Sequence, residues 1–198
     1  MTQPPGQAKL RRVFGAFPTG VAAVAAVIDG EPSGLAANSF VSVSLDPPLV
    51  SVCIAHSSTT WPTLRRASRM GISVLGDHQE AASRQLSSRT AERFDGLDWR
   101  ATTDGALLVS GAAAWFDCSL CREIPAGDHD IVLLRVHDLG AAEIMPLVFH
   151  GSTYRQLGGH QTSDYGDAQY SDAQYSDAQY SHAQYSKAQY SKQYRIGA

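Results

Sequence analysis

Along the first 157 residues, apolar and polar positions alternate in short runs separated by turn residues. Leu10, Val13, Phe14 and Phe17 fall at i, i+3, i+4 and i+7, which predicts a helix with one apolar face, ended by Pro18 and Gly20. Val21 to Ile28 is continuously apolar and predicts a buried strand, with Asp29-Gly30 as a tight turn after it. Leu35 to Leu45 reads as a second strand, stopped by Asp46-Pro47-Pro48, and Leu49 to Ala55 as a third. Thr60-Trp61-Pro62 opens a short helix through Ala67, where proline suits the first turn. Ile72 to Leu75 predicts a strand, Gln79 to Leu86 a short helix, and Ser87 to Arg100 an ordered surface loop. Ala112 to Ile124 and Ile131 to Leu139 form a long strand pair around Pro125-Ala126-Gly127-Asp128, and Leu147 to His150 adds a last strand. Many strands with few, short helices predict a mainly β fold, a closed antiparallel barrel rather than a doubly wound sheet.

After Leu157 the pattern stops. Gly158-Gly159 opens a linker, and a five-residue unit then recurs from Gly166 to Tyr190, with a shortened Ser191-Lys-Gln-Tyr194 copy. A period of five gives no fixed face: on a helix it turns successive tyrosines by about 140°, and on a strand it alternates sides. With almost no aliphatic residues, the segment cannot bury enough surface to offset its ordering entropy. The expected division is therefore a folded domain over 1–157 and a disordered, tyrosine-rich tail over 158–198. Its charged position drifts from Asp167, Asp172 and Asp177 through His182 to Lys187 and Lys192. The sharper alternative is a sticker for a partner or for self-association.

Composition narrows the class. A chain of 198 residues with 43% hydrophobic positions can build a core without disulfides, and three cysteines exclude a disulfide scaffold. The net charge of −3 argues against nucleic acid as a partner. No apolar run approaches the roughly 20 residues of a membrane helix. Arg11-Arg12 before Val21 to Ile28 imitates a signal peptide, but Phe17-Pro18-Thr19-Gly20 intervenes and no small-residue cleavage site follows. The expectation is a soluble, cytoplasmic protein.

The chain lacks the G-x-x-x-x-G-K-[ST], G-x-G-x-x-G, H-E-x-x-H and G-x-S-x-G patterns. Cys118 and Cys121 are a C-x-x-C within one strand, where odd spacing sends the thiols to opposite faces, so no metal site is expected. Three segments carry candidate chemistry. In Ser33-Gly34-Leu35-Ala36-Ala37-Asn38-Ser39-Phe40, small residues admit a ligand close to the backbone, while Asn38 and Ser39 suit the edge of a planar heterocycle. A strand with Asn38 as a turn residue explains the same segment without a ligand. Ala55-His56-Ser57-Ser58-Thr59-Thr60 places four hydroxyls before a helix start, a setting that favours an anion such as phosphate; capping accounts for only one of them. Gly127-Asp128-His129-Asp130 sets a histidine between carboxylates in a turn, as a charged surface residue, a metal ligand or a cofactor contact.

Taken in order, Phe17-Pro18-Thr19-Gly20, Gly34-Leu35-Ala36-Ala37-Asn38-Ser39-Phe40-Val41-Ser42-Val43-Ser44, Asp46-Pro47-Pro48-Leu49, the hydroxyl loop and Gly127-Asp128-His129 resemble the short-chain flavin reductases. These are the reductase components of two-component flavin-dependent monooxygenases. The resemblance covers about Leu10 to Leu157. It implies a homodimeric, flavin-binding split β-barrel that takes hydride from NADH, favoured over NADPH, to FAD or FMN. Reduced flavin would then pass to a partner monooxygenase. It also implies that Pro32, Ser33, Gly34, Leu35, Ala36, Asn38 and Ser39 meet the isoalloxazine and ribityl chain. Cys53, Ile54 and Ala55 would lie beside the ring, and Ser58, Thr59 and Thr60 would hold phosphate. Gln85 and Leu86 would approach the dinucleotide portion, and His129, Phe149 and His150 the nicotinamide. His56 departs from the basic or polar residue the family often has there, which leaves the positive charge for a phosphate unaccounted for. Two alternatives stand beside this reading: an amine oxidase on the same barrel, and a protein that holds flavin tightly for sensing or electron transfer.

Overall fold

The computed structural model describes residues 5–89 and 92–158; the tyrosine repeats therefore lie outside the described residues. In chain order the elements are α1 (Gln7–Phe14), β1 (Thr19–Gly20), β2 (Ala22–Ile28), β3 (Glu31–Ala37), β4 (Val41–Leu45), β5 (Pro48–Ala55), α2 (Trp61–Leu64), β6 (Met70–Val74), α3 (Glu80–Leu86), β7 (Trp99–Ala101), β8 (Leu107–Val109), β9 (Ala114–Ala126), β10 (His129–Ala141), β11 (Val148–His150) and β12 (Thr153–Arg155).

Seven strands form one antiparallel sheet in the order β3-β2-β6-β9-β10-β5-β4. The apolar run in β2 is explained by burial on both faces. Ala22, Val24 and Ala26 join the main core with Val52, Met70, Ile72, Val132 and Leu134, while Ala23 and Ala25 face a second core with Leu75, Leu86, Phe94, Leu107 and Leu147. Small residues let the second layer approach. A side chain at Gly71 would lie 1.9 Å from the Leu107 carbonyl, so β8 can cross β6 there only over a glycine. The β2–β3 hairpin turns at Asp29 and Gly30, with φ of 54° and 86°, the left-handed pair a two-residue primed turn requires.

The closed barrel expected from the strand pattern alone is corrected, and the split barrel that the resemblance implies is the form the sheet takes. Ser39 and Phe40 interrupt the predicted 35–45 strand, and its halves β3 and β4 lie at opposite ends of the sheet without pairing. β3 pairs with β2 alone, and β4 pairs with β5 only as far as Ser51, so Cys53, Ile54 and Ala55 have β10 on one side and an open edge on the other. The barrel is split along this seam. Ser39 spans it: its hydroxyl accepts from the Cys53 N–H at 2.9 Å and donates to the Cys53 carbonyl at 3.1 Å. The short strands β1, β7, β8 and β12 were not expected, and the predicted second helix ends at Leu64 rather than Ala67.

Candidate active site

The split opens into a cleft of about 560 Å³, the size of an ordinary ligand site. Leu35, Ala36, Asn38 and Ser39 line one wall, Cys53, Ile54 and Ala55 the other, and Ser58, Thr59, Thr60, Leu86 and His129 the ends. A smaller cleft of about 270 Å³ shares Thr59 and Thr60 with it and adds Pro32, Ser33 and Gly34. A third, of about 140 Å³, brings Phe149 and Tyr154 against Ala36 and Asn38. The fold thus gathers most of the candidate residues from distant parts of the chain.

Two candidates line none of these three clefts. Gln85 donates its amide to the carbonyls of Asp95 (2.7 Å) and Glu92 (3.3 Å), so it braces the loop after α3. His150 is exposed on β11, because alternation along the strand turns it away when Phe149 turns inward. Ser39 lines the main cleft, but its hydroxyl is spent on Cys53; Ser39 holds the wall in place instead of offering a free group.

The four hydroxyls of the 57–60 loop divide by partner. The Ser58 hydroxyl accepts from the Trp61 N–H at 3.2 Å and closes the start of α2. The Thr60 hydroxyl accepts from the Arg93 guanidinium. Ser57 and Thr59 line the cleft with hydroxyls that bond no group among the described residues, and the Asn38 amide is likewise unspent. The loop is pinned at both ends. Trp61 Nε1 donates to Glu123 Oε1 at 2.7 Å, Arg65 also pairs with Glu123, and the His56 N–H donates to the Asp128 carbonyl at 3.0 Å.

Positive charge comes from a place the sequence did not suggest. With only four residues, α2 supplies too little aligned dipole to hold an anion. Arg93 lines both the main cleft and the one that shares Thr59 and Thr60 with it, and donates to three neutral acceptors: Gly34 O (3.0 Å), Ser88 O (2.7 Å) and Thr60. Arg89 stands beside it on the same two clefts. Among the described residues neither arginine is paired with a carboxylate. Two cations without a carboxylate partner, lining a cleft with unspent hydroxyls, could hold an anion.

Against the start of the hydroxyl loop, His129 pairs with Ala55 across the sheet, in a two-residue hairpin whose first turn residue, Gly127, has φ 71°. Asp128 Oδ1 lies 2.7 Å from His129 Nδ1, and this hydrogen bond, then the histidine's charge, holds the Asp128 carboxyl below the usual carboxylate range. The ionised Asp128 carboxylate accepts a hydrogen bond from His129 Nδ1–H, the tautomer that leaves Nε2 of a neutral ring as an acceptor. The C-x-x-C carries no site: Cys118 is fully buried, with its thiol pushed up to about 12 mainly by burial, while Cys121 is exposed. Among the described residues no group of histidines, cysteines and carboxylates could hold a metal ion.

A split β-barrel with a candidate anion site and a small-residue wall beside open strand edges now meets its relatives. The sequence profile of the flavin reductase like domain matches residues 14–158. The chain belongs to the flavin reductase family. A flavin reductase of Pseudomonas putida is 41% identical over 146 residues, which cover 73% of this chain and 86% of that protein. A probable flavin reductase of Rhizobium meliloti is 47% identical over 128 residues, 64% of this chain but 41% of the relative, so the chain spans under half of that protein. Among solved structures, the NADH:FAD oxidoreductase of Streptomyces globisporus, in complex with NAD and FAD fragments, is 36% identical with a TM-score of 0.75, covering 83% of this chain and 99% of that one. The family places the fold as a split barrel, and the cleft lies along the split.

Proposed function

We propose that this flavin reductase is an NADH-dependent flavin oxidoreductase that supplies diffusible reduced flavin to a partner flavin-dependent monooxygenase. The observation that carries the reading is the pair Arg89 and Arg93, uncompensated among the described residues, beside the unspent Thr59 hydroxyl at the end of the split. The residues fit a flavin: the cleft has the volume, an anion site at one end and an open strand edge at the other. FAD or FMN and NADH supply the hydride acceptor and donor, and the protein's task is to hold and orient them.

Each wall has its own part. Leu35 and Ala36 leave room for a flat ring against the β3 edge. The Asn38 amide offers a donor and an acceptor to the ring's polar edge, where negative charge develops on reduction, while Cys53, Ile54 and Ala55 lie beside the ring. Arg93, Arg89, Ser57 and Thr59 hold phosphate, and Arg93 joins β3, the hydroxyl loop and the segment after α3 around it. His129 accepts through Nε2 from the carboxamide of the nicotinamide, with Asp128 fixing the ring. Phe149 closes the cleft from β11.

We further infer a homodimer in the cytoplasm. The outer face of β4 and its neighbours exposes Val41, Val43, Leu45, Ile131 and Ile124, a row that a second copy would cover. Among the described residues no helix is long and apolar enough to cross a membrane.

Anaerobic mixing with NADH and excess free flavin tests the reading. Bleaching of many flavin equivalents per protein is expected. Bleaching of a single bound equivalent would favour a flavin-holding electron-transfer or sensor protein, and no bleaching with either nicotinamide would overturn the reductase reading.

A further inference from the structure

His56 lies outside the roles described so far, yet it is the point where the two halves of the site meet. Its backbone N–H donates to the Asp128 carbonyl at 3.0 Å, and its Nε2 lies 3.2 Å from Asp130 Oδ1. Both acceptors belong to the β9–β10 turn region that carries His129, whose ring is fixed by Asp128 at 2.7 Å. Two residues on, the Ser58 N–H closes onto the Ala55 carbonyl at 2.9 Å, and the loop continues through Thr59 and Thr60 to Arg93. One imidazole therefore ties the anion loop to the histidine that faces the nicotinamide end.

We propose that His56 is a positioning residue whose ion pair with Asp130 couples the flavin-phosphate loop to the His129 turn, tightening flavin and NADH binding at low pH. The inference rests on the flavin reductase reading. The groups that face His56 are Asp130, Asp128 and His129, all from the turn; its own loop, 57–60, carries hydroxyls only. Asp128 stays ionised across the neutral range, because the hydrogen bond to His129 holds its carboxyl below the usual carboxylate range. When the imidazole is protonated the bond to Asp130 is charge-assisted, and when it is neutral an ordinary hydrogen bond remains. Both side chains keep contact with solvent, 49% and 24% exposed, so the coupling is modest, of the few-fold size of surface ion pairs.

Full-length protein tests this by FAD fluorescence quenching and steady-state kinetics between pH 5.5 and 8.5. FAD is the probe because its pyrophosphate, unlike the monoester of FMN, has no second ionisation near pH 6. Native protein should bind FAD about threefold more tightly at pH 5.5 than at 8.5. His56→Ala should bind at the weaker level throughout, with both KM values raised and the change carried by KM rather than kcat. Asp130→Asn decides the route. If His56 acts through Asp130, this variant is also weak and flat with pH; if His56 acts directly on phosphate, removing a carboxylate leaves binding as tight or tighter and overturns the clamp. Retention of the native profile by His56→Ala overturns it too. Should His56→Ala fail to fold, native protein and Asp130→Asn still decide between these outcomes. Absence of FAD binding and turnover in the native protein would instead overturn the reductase reading beneath it.

Discussion

Arg69 and Arg93 are both partly buried arginines next to the barrel, and they are partnered in opposite ways. Arg69, on the sealed side where β6 meets β9, lies between two carboxylates, 3.7 Å from Asp117 and 3.5 Å from Asp104. Arg93, at the split, touches only neutral oxygens among the described residues. The same contrast holds for amides. The Gln79 side chain accepts from Gly76 N–H and donates to Ser110 O, both at 2.8 Å, whereas the Asn38 amide is unspent. On the sealed side Arg69 and Asp117 face each other as opposite charges, although Arg69 Nη1 and Asp117 Oδ1 make no hydrogen bond; along the split the cations have no carboxylate among the described residues. The unspent groups at the split, Asn38, Ser57, Thr59 and Arg89, are exposed, so water satisfies them until a ligand's polar atoms take its place.

That contrast predicts effects that separate cleanly by side. Asp117→Ala strips the buried carboxylate from Arg69 and should lower unfolding free energy by about 3 kcal/mol in urea titrations, with flavin affinity unchanged. A loss of flavin affinity as well would break the separation. Arg93→Gln should act the other way: flavin KM rises about tenfold, the loss of one charge-assisted contact, while the unfolding midpoint moves less than for Asp117→Ala. His129→Ala should raise the KM for NADH about fivefold with little change for flavin; equal losses for both would remove His129 from the nicotinamide end. The smallest effect is chemical. A disulfide-exchange reagent at pH 8 should titrate Cys53 and Cys121 in the native protein, and Cys118 only after denaturation, because its thiol ionises near 12.

Local pattern made much of this legible. The Val21 to Ile28 run, the Asp29-Gly30 turn and the long 114–126 and 129–141 hairpin follow from periodicity and turn chemistry, and the structure has each of them. The split did not, because apolar residues continue through 35–45 and nothing local shows that Ser39 reaches Cys53, 14 residues away, across the seam. The hydroxyl loop was visible as a cluster, but its division into capping, arginine-bound and unspent hydroxyls depends on partners far along the chain. Arg89 and Arg93 were missed for the same reason: they lie in a loop with no apolar period, 33 residues from Thr60 in the case of Arg93, and only the fold brings that charge to the cleft. The three-residue strands are too short to carry a period.

The contrast between the two sides is tested most directly by amide hydrogen exchange with and without saturating FAD. Exchange at residues 35–38, 54–60 and 92–94 should slow on binding, while 69–74 and 117–119 stay as they were. Protection centred on the Arg69–Asp117 side, with the split unchanged, would contradict the account.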